Sequence, residues 1–385
     1  MFKNIGRISI EMYLLFQHHT TLEVLRDVST DIDLFTITGT GWHFVKYLGP
    51  AVVVVGPDCR SERNPYQVMA GPTYQGLFPK VALLPSSVQH CLWMVPVPVI
   101  YPRLESTEQL VHAVASGKRA VTGAYNLLGK VTSSVAGVVG AKDAVGSGFD
   151  VVKRAVGKTG LMGGVLNPFG DIDILDELRD QWTHESKVCL IPFNREPSVL
   201  TRKLQDLERT YLIRTLQGIA HQKTIRMTFI SGAVNLCGAG LVHDPSHPSD
   251  HKTMYQLISS PIVNNPPPSY IIKLLHNNKP LYVPANGQRS TPSQPTDTKE
   301  DMLELFQTEV NGQPREHRRL MGRRNYVAIV AYDPEVVSGA FGRTDMANGG
   351  GRLSLAADFM VQGDGAYGGV VKYGPVIVPS LEFGK

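Results

Sequence analysis

The sequence predicts an α/β fold, and three observations carry that expectation. Short β-branched runs, Ala51–Val55 and Thr224–Ile230, end in polar loops marked by Gly or Pro. A long helical pattern over Glu196–Lys223 feeds the second of these runs. Strand and helix patterns alternate along 385 residues, enough for one large domain or two smaller ones with ample core. A hydrophobic content of 42% against 19% charged residues places the chain among globular proteins rather than disordered ones.

Taken in order, Ala51–Val55 is continuously apolar and reads as a buried central strand. Its loop carries Asp58, Arg60, Glu62 and Arg63. Leu92–Ile100 is similar, but Pro96 and Pro98 predict an edge or irregular strand, because proline cannot donate to a ladder. Within Glu196–Lys223, Leu200, Leu204, Leu207, Tyr211, Leu212, Leu216 and Ile219 recur at helical spacing and form a broad apolar face. The strand that follows climbs to Ile230 and breaks at Ser231-Gly232. A turn closed by Gly238 and Gly240 is expected next, delivering a loop to the sheet rim where α/β proteins place their ligands. Tyr255–Val263 and Tyr326–Tyr332 read as further strands. Residues 285–301 and 337–352 read as flexible loops. The second ends in Asn348-Gly-Gly-Gly-Arg352, without the strand, helix and lysine that a phosphate-cradling loop requires.

Residues 116–166 form an insertion rich in Gly, Ala and Val, with lysines at 118, 130, 142 and 153. The spacing and a valine stripe suit an amphipathic helix on a membrane surface. The alternative is a mobile insertion, since each of its glycines weakens a helix by up to about 1 kcal/mol.

The net charge of +4 is small and the basic residues are scattered, which argues against a nucleic-acid partner. The cluster Arg315, His317, Arg318, Arg319, Arg323 and Arg324 reads as a solvated face, with a polyanion site as the alternative. Four cysteines, Cys59, Cys91, Cys189 and Cys237, stand singly, so no zinc knuckle is expected. No signal peptide opens the chain and no run of 18 apolar residues crosses it. The expected setting is intracellular, either cytoplasmic or peripheral on a membrane, and not secreted.

Several blocks resemble a known family. They are Tyr13–Thr20, Gly56-Pro-Asp-Cys-Arg-Ser-Glu-Arg63, Gln89-His90, Val97–Arg103, Asp180-Gln-Trp-Thr183, Ser259-Ser-Pro-Ile-Val-Asn264 and Met321-Gly-Arg-Arg-Asn-Tyr326. In this order they are similar to the fungal-type branch of the PhoD-like metallophosphatase domain, which makes residues 1–385 a partial domain of that kind. The resemblance implies an α/β/β/α layered sandwich, here incomplete at the N-terminus, and metal-dependent hydrolysis of a phosphate ester with iron and calcium as cofactors. The turn after Ile230 looks like a Ser-Gly-Asp-Val-His loop that places Asp and His at the metal and phosphate site. Here those positions are Ala233 and Asn235. A family Asp-Asp-His-Asp block precedes the segment matching Met1–Thr20, and this chain begins after it. A misplaced start and a degenerate pseudo-enzyme both account for that, and Ala233 and Asn235 favour the second.

Among the residues that remain, the guanidinium forks of Arg60 and Arg63 suit phosphate oxygens, or equally a structural ion pair with Asp58 or Glu62. Asp58 is a weak candidate metal ligand. Asn235 retains a side chain able to donate to phosphate, whereas Ala233 offers nothing polar. His90 and His184 are acid–base candidates by type, each more simply read as structural. His18-His19 is expected to pack or hydrogen-bond. His243, His247 and His251 have metal-binding spacing on a helix, but Pro245 and Pro248 predict a solvated loop. An impaired enzyme, or a non-catalytic scaffold on a membrane surface, is the functional expectation.

Overall fold

A ten-stranded mixed sheet organises the chain in the computed structural model, which describes residues 2–27, 34–35, 41–63, 67–102, 204–267, 269–276, 281–285, 295–339, 351–365 and 368–382. Its strands are β1 (Leu34–Phe35), β2 (Trp42–Tyr47), β3 (Val52–Gly56), β4 (His90–Met94), β5 (Arg226–Ser231), β6 (Cys237–His243), β7 (Met254–Ile258), β8 (Leu281–Tyr282), β9 (Lys299–Met302) and β10 (Leu320–Met321). They lie in the order β1-β2-β3-β4-β5-β7-β6-β9-β8, with β10 beside β6. The central four, β3, β4, β5 and β7, are parallel and the flanking strands antiparallel. β3 is buried at every position because both its faces are covered, which is why it reads as an unbroken valine run.

Helices α1 (Phe2–Gln17), α2 (Leu22–Asp27), α3 (Gly71–Ala82), α4 (Leu204–Lys223), α5 (Ser269–His276) and α6 (Pro334–Gly339) complete the regular structure of the described residues. On one face of the sheet, Val53, Val55, Trp93, Met227 and Phe229 meet Leu77, Phe78 and Val81 of α3 and Leu212, Leu216 and Ile219 of α4. The opposite face is covered by a second, antiparallel sheet of β11 (Asn325–Tyr332), β12 (Ser354–Gln362) and β13 (Val370–Val378). Leu355 and Val378 pack on Val52, Val54 and Leu92, while Phe359 and Val361 pack on Ala239 and Leu257. The layers therefore run helix, sheet, sheet. Beyond them Tyr326, Val330 and Val370 are exposed, and among the described residues no helix covers that outer face.

Several sequence expectations are corrected. β4 is neither edge nor irregular: it ends at Met94, before Pro96 and Pro98, and pairs on both sides. Gly238 and Gly240 do not close a turn but lie inside β6. A Cβ at Gly238 would stand 2.6 Å from Leu320 and 2.9 Å from the Arg319 carbonyl, and one at Gly240 2.9 Å from Met302 Sδ. Their missing side chains let β10 and β9 close on β6. The loop expected over 285–301 yields at its end to β9, where Glu300 is buried, with Thr298 buried just before it. Arg315 is buried too, ion-paired with Glu309, so the solvated face breaks there. The strand expected over Tyr255–Val263 stops at Ile258, before a cis Ser260-Pro261 bond. His243 belongs to β6 and bonds Asp301 at 2.9 Å, whereas His247 stays exposed. His184, Cys189 and the 116–166 insertion lie outside the described residues.

Candidate functional site

The parallel strands β3, β4, β5 and β7 all end on one edge of the sheet, so the turns that follow them share a single rim. Segments distant in sequence meet there. Tyr13 donates or accepts at 3.0 Å to His18 Nε2, and the nearby Asp58 charge adds to burial in raising the Tyr13 pKa. His18 in turn packs edge-on against Trp42 at 4.4 Å, so the expected packing role of the histidine pair is realised in His18.

The turn after β3 is rich in charge, and much of that charge is turned inward. Asp58 Oδ1 accepts from the Arg60 and Ser61 backbone amides at 2.9 Å, and its Oδ2 accepts from Ser61 Oγ at 2.6 Å. This is an Asx-type turn, with the carboxylate spent on its own loop. Gly41 lies so close over Asp58 and Ser61 that any side chain there would collide. The Asp58 amide donates to Nδ1 of the fully buried His43 at 2.9 Å. Accepting that bond leaves the imidazole proton on Nε2, 3.5 Å from the buried Glu62 carboxylate. Burial lowers the His43 pKa, against the pull of Glu62 and Asp58, so the ring is neutral. Glu62 also accepts from the Ala70 amide and Thr73 Oγ, tying the turn to the start of α3. Arg63 is half-buried, and its charge acts on Glu208. Glu208 holds the Val68 and Met69 amides and the Tyr74 hydroxyl, and burial raises its pKa. Arg60 is exposed at the rim.

The turn after β5 is built differently. Ala233 donates its amide to Ser260 Oγ at 3.1 Å, and Ser260 Oγ donates to the Ala233 carbonyl at 2.9 Å. Asn235 takes a left-handed backbone (φ 50°), a conformation that Asn tolerates better than most residues, and its amide bonds the Ala233 carbonyl at 2.8 Å. Ser259 and Ser260 are locked in place by the buried Asn325. Ser259 Oγ donates to Asn325 Oδ1 at 2.9 Å, while Asn325 Nδ2 donates to the Ser260 and Arg323 carbonyls. Arg324 reaches the Val263 carbonyl at 2.7 Å and Asn265 Oδ1 at 3.0 Å. The Ser259–Asn264 and Met321–Tyr326 blocks thus form one brace around the 232–235 turn.

The structure places Asp58, Arg60, Arg63, Ala233 and Asn235 on the same rim without joining them into one cluster. The turns after β3 and β5 are separated by β4, which sets the strand ends about 10 Å apart. Sequence reasoning singled out neither His43 nor Ser260 nor Asn325. His43 gives no signal inside an ordinary strand pattern. Ser260 and Asn325 carried one, since both stand in blocks quoted for the family resemblance. His90, the acid–base candidate, sits at the opposite end of β4, fully buried, with Nε2 donating to the Leu353 carbonyl at 2.7 Å. Burial pushes its pKa down to about 4, and it is structural. The three described cysteines are buried free thiols whose pKa values burial raises.

The fold is that of a mixed α/β domain whose parallel strands end on one rim. A family model described as PhoD related phosphatase matches residues 1–385, and the chain belongs to that family. It is similar to the uncharacterized protein YGR266W of Saccharomyces cerevisiae, at 24% identity over 371 residues, covering 86% of this chain and 44% of that one. The chain thus spans less than half the length of that relative. No solved structure matches.

Members of this family are generally metal-dependent, and the described rim residues do not fit a metal centre. Asp58 uses both carboxylate oxygens locally, Ala233 has no donor, and among the described residues no three His, Cys, Asp or Glu side chains converge. Among the described residues no helix is long and apolar enough to cross a membrane.

Proposed function

We propose that this chain is a phosphatase-family domain with an impaired hydrolytic centre, acting by binding rather than by turnover, on the four-layer metallophosphatase sandwich its family implies. One observation carries the reading. The turn after β5 presents Ala233 and Asn235, held by Ser260, where a metal-dependent hydrolase needs charged or imidazole donors. Asn235 can donate to a phosphate oxygen but cannot carry a proton as imidazole does. With no metal-holding cluster among the described residues, the polarised phosphoryl group and the activated water that drive such hydrolysis have no support there. Arg60 remains exposed at the rim as a phosphate contact.

The test is elemental analysis of the purified chain after incubation with iron, calcium and zinc and then desalting, together with hydrolysis of bis(p-nitrophenyl) phosphate. Sub-stoichiometric metal and background hydrolysis are expected. Stoichiometric iron or calcium with metal-dependent turnover would overturn the reading. The lysine and valine spacing of residues 116–166 supports a further role at a membrane surface. Liposome flotation of the intact chain should exceed that of a chain lacking 118–160, and equal recovery would remove that role.

A further inference from the structure

A cleft of about 400 Å³ lies between α5 and the 309–323 segment, behind the 232–235 turn, whose Ala233 and Val234 pack in one cluster with the cleft residue Ile272. Its polar lining is Lys273, Glu309, Arg315, Glu316, His317 and Arg323. The two acids do little to neutralise the bases. Glu309 is committed to the buried Arg315, and Glu316, 84% exposed, faces His317 Nε2 only at 3.9 Å, beyond hydrogen-bond reach. Arg315 is further consumed by the His317 and Leu320 carbonyls. Lys273, by contrast, has no ion-pair partner among the described residues. Among the described residues Arg323 ion-pairs with the well-exposed Asp364 alone, at 2.9 Å. Both ring nitrogens of His317 are buried without a hydrogen-bond partner among the described residues, and its ring lies 4.8 Å from His276.

We infer that this cleft binds a small phosphorylated molecule, its phosphate held by Lys273, Arg323 and an N–H of His317. The volume is that of an ordinary small-molecule site. An ammonium, a guanidinium fork and an imidazole N–H around one concavity match the several acceptor oxygens of a phosphate, and a bound anion would satisfy nitrogens that are otherwise left dry. A divalent cation fits poorly, because Arg319 acts on His276 and Lys273 and Arg315 act on His317. The inference is independent of the hydrolytic state of the rim.

Calorimetric titration of the full chain with pyrophosphate tests it. Saturable binding is expected, weakened about tenfold or more by Lys273→Glu and by Arg323→Gln, the loss of one charge-assisted contact each. Lys372→Ala, which removes a β13 cation outside the cleft, should leave it unchanged. In ¹⁵N-histidine spectra the His317 resonances should move on titration while those of His43 stay still. Absence of saturable binding at millimolar pyrophosphate, equal binding of citrate, or binding that survives both substitutions would each overturn the inference.

Discussion

The turn after β3 and the turn after β5 stand on the same rim and teach opposite lessons about polarity. The first gathers Asp58, Arg60, Ser61, Glu62 and Arg63 within six residues, a density that reads as chemistry, yet Asp58, Ser61 and Glu62 hold the loop's own shape. The second shows a near-apolar Ala-Val-Asn sequence, yet it is the turn we propose as the site of the decayed hydrolytic centre, and two serines and an asparagine from elsewhere brace it. Charge density is therefore a poor guide to function here. What matters is whether a polar group still has a free valence facing outward.

The comparison breaks first at Glu62. Glu62→Ala strands the Ala70 amide and the Thr73 hydroxyl in the interior and removes the carboxylate facing His43, and should cost about 3 kcal/mol or more, measured as a lower urea midpoint.

Acid sharpens it. His90 has a folded pKa of about 4 against 6.5 unfolded, so its contribution is complete above pH 6.5 and is lost as pH falls toward 4. The loss approaches about 3 kcal/mol at 1.36 kcal/mol per unit. His43 is shifted in the same direction and adds to it. Urea midpoints measured between pH 7 and pH 4 should fall, and His90→Gln, which can still donate to the Leu353 carbonyl, should flatten most of that slope. A slope unchanged in His90→Gln would assign the acid sensitivity to the rim instead.

Asp58→Asn keeps one acceptor oxygen and loses the charge. Because the carboxylate is a loop brace, the expected cost is about 1 kcal/mol in the same melts, with no change in bound metal. A larger effect on metal content than on stability would return Asp58 to the role of ligand. The smallest effect is expected from the double variant Ala233→Asp, Asn235→His. Both sites are only partly buried and His tolerates left-handed backbone, so stability should move by about 0.5 kcal/mol or less. Phosphodiester hydrolysis should stay at background. Turnover in that variant would mean that the decay is confined to this one loop.

Much of the layered fold was legible in the sequence, because buried parallel strands and a long amphipathic helix announce themselves by composition and period. Val52–Gly56 and Leu204–Lys223 are plain cases. The errors fell where context overrides pattern. Pro96 and Pro98 weigh against a strand only if they lie inside it, and β4 ends two residues before the first of them. Gly238 and Gly240 resemble turn residues until β9 and β10 are seen pressing on them. Arg315 lies in a basic run that reads as solvated, and only Glu309, the Leu320 carbonyl and Met321 explain its burial. The candidate site was half legible. The identities of Ala233 and Asn235 are sequence facts, whereas the neutral His43 and the Ser260–Asn325 brace exist only through contacts between distant segments.

One such contact sets a demand on synthesis. Val52, Val54 and Leu92 are covered by Leu355 and Val378, and His90 meets Leu353 across 263 residues of chain. At about 5–20 residues per second a ribosome leaves that valine face uncovered for roughly 10–50 s after β4 emerges. A nascent chain of this kind presents an apolar strand surface to every neighbour in the interval. Premature termination between β10 and β12 would release a product that keeps α3 and α4 on one side and leaves Val52, Val54 and Leu92 without Leu355 and Val378 on the other.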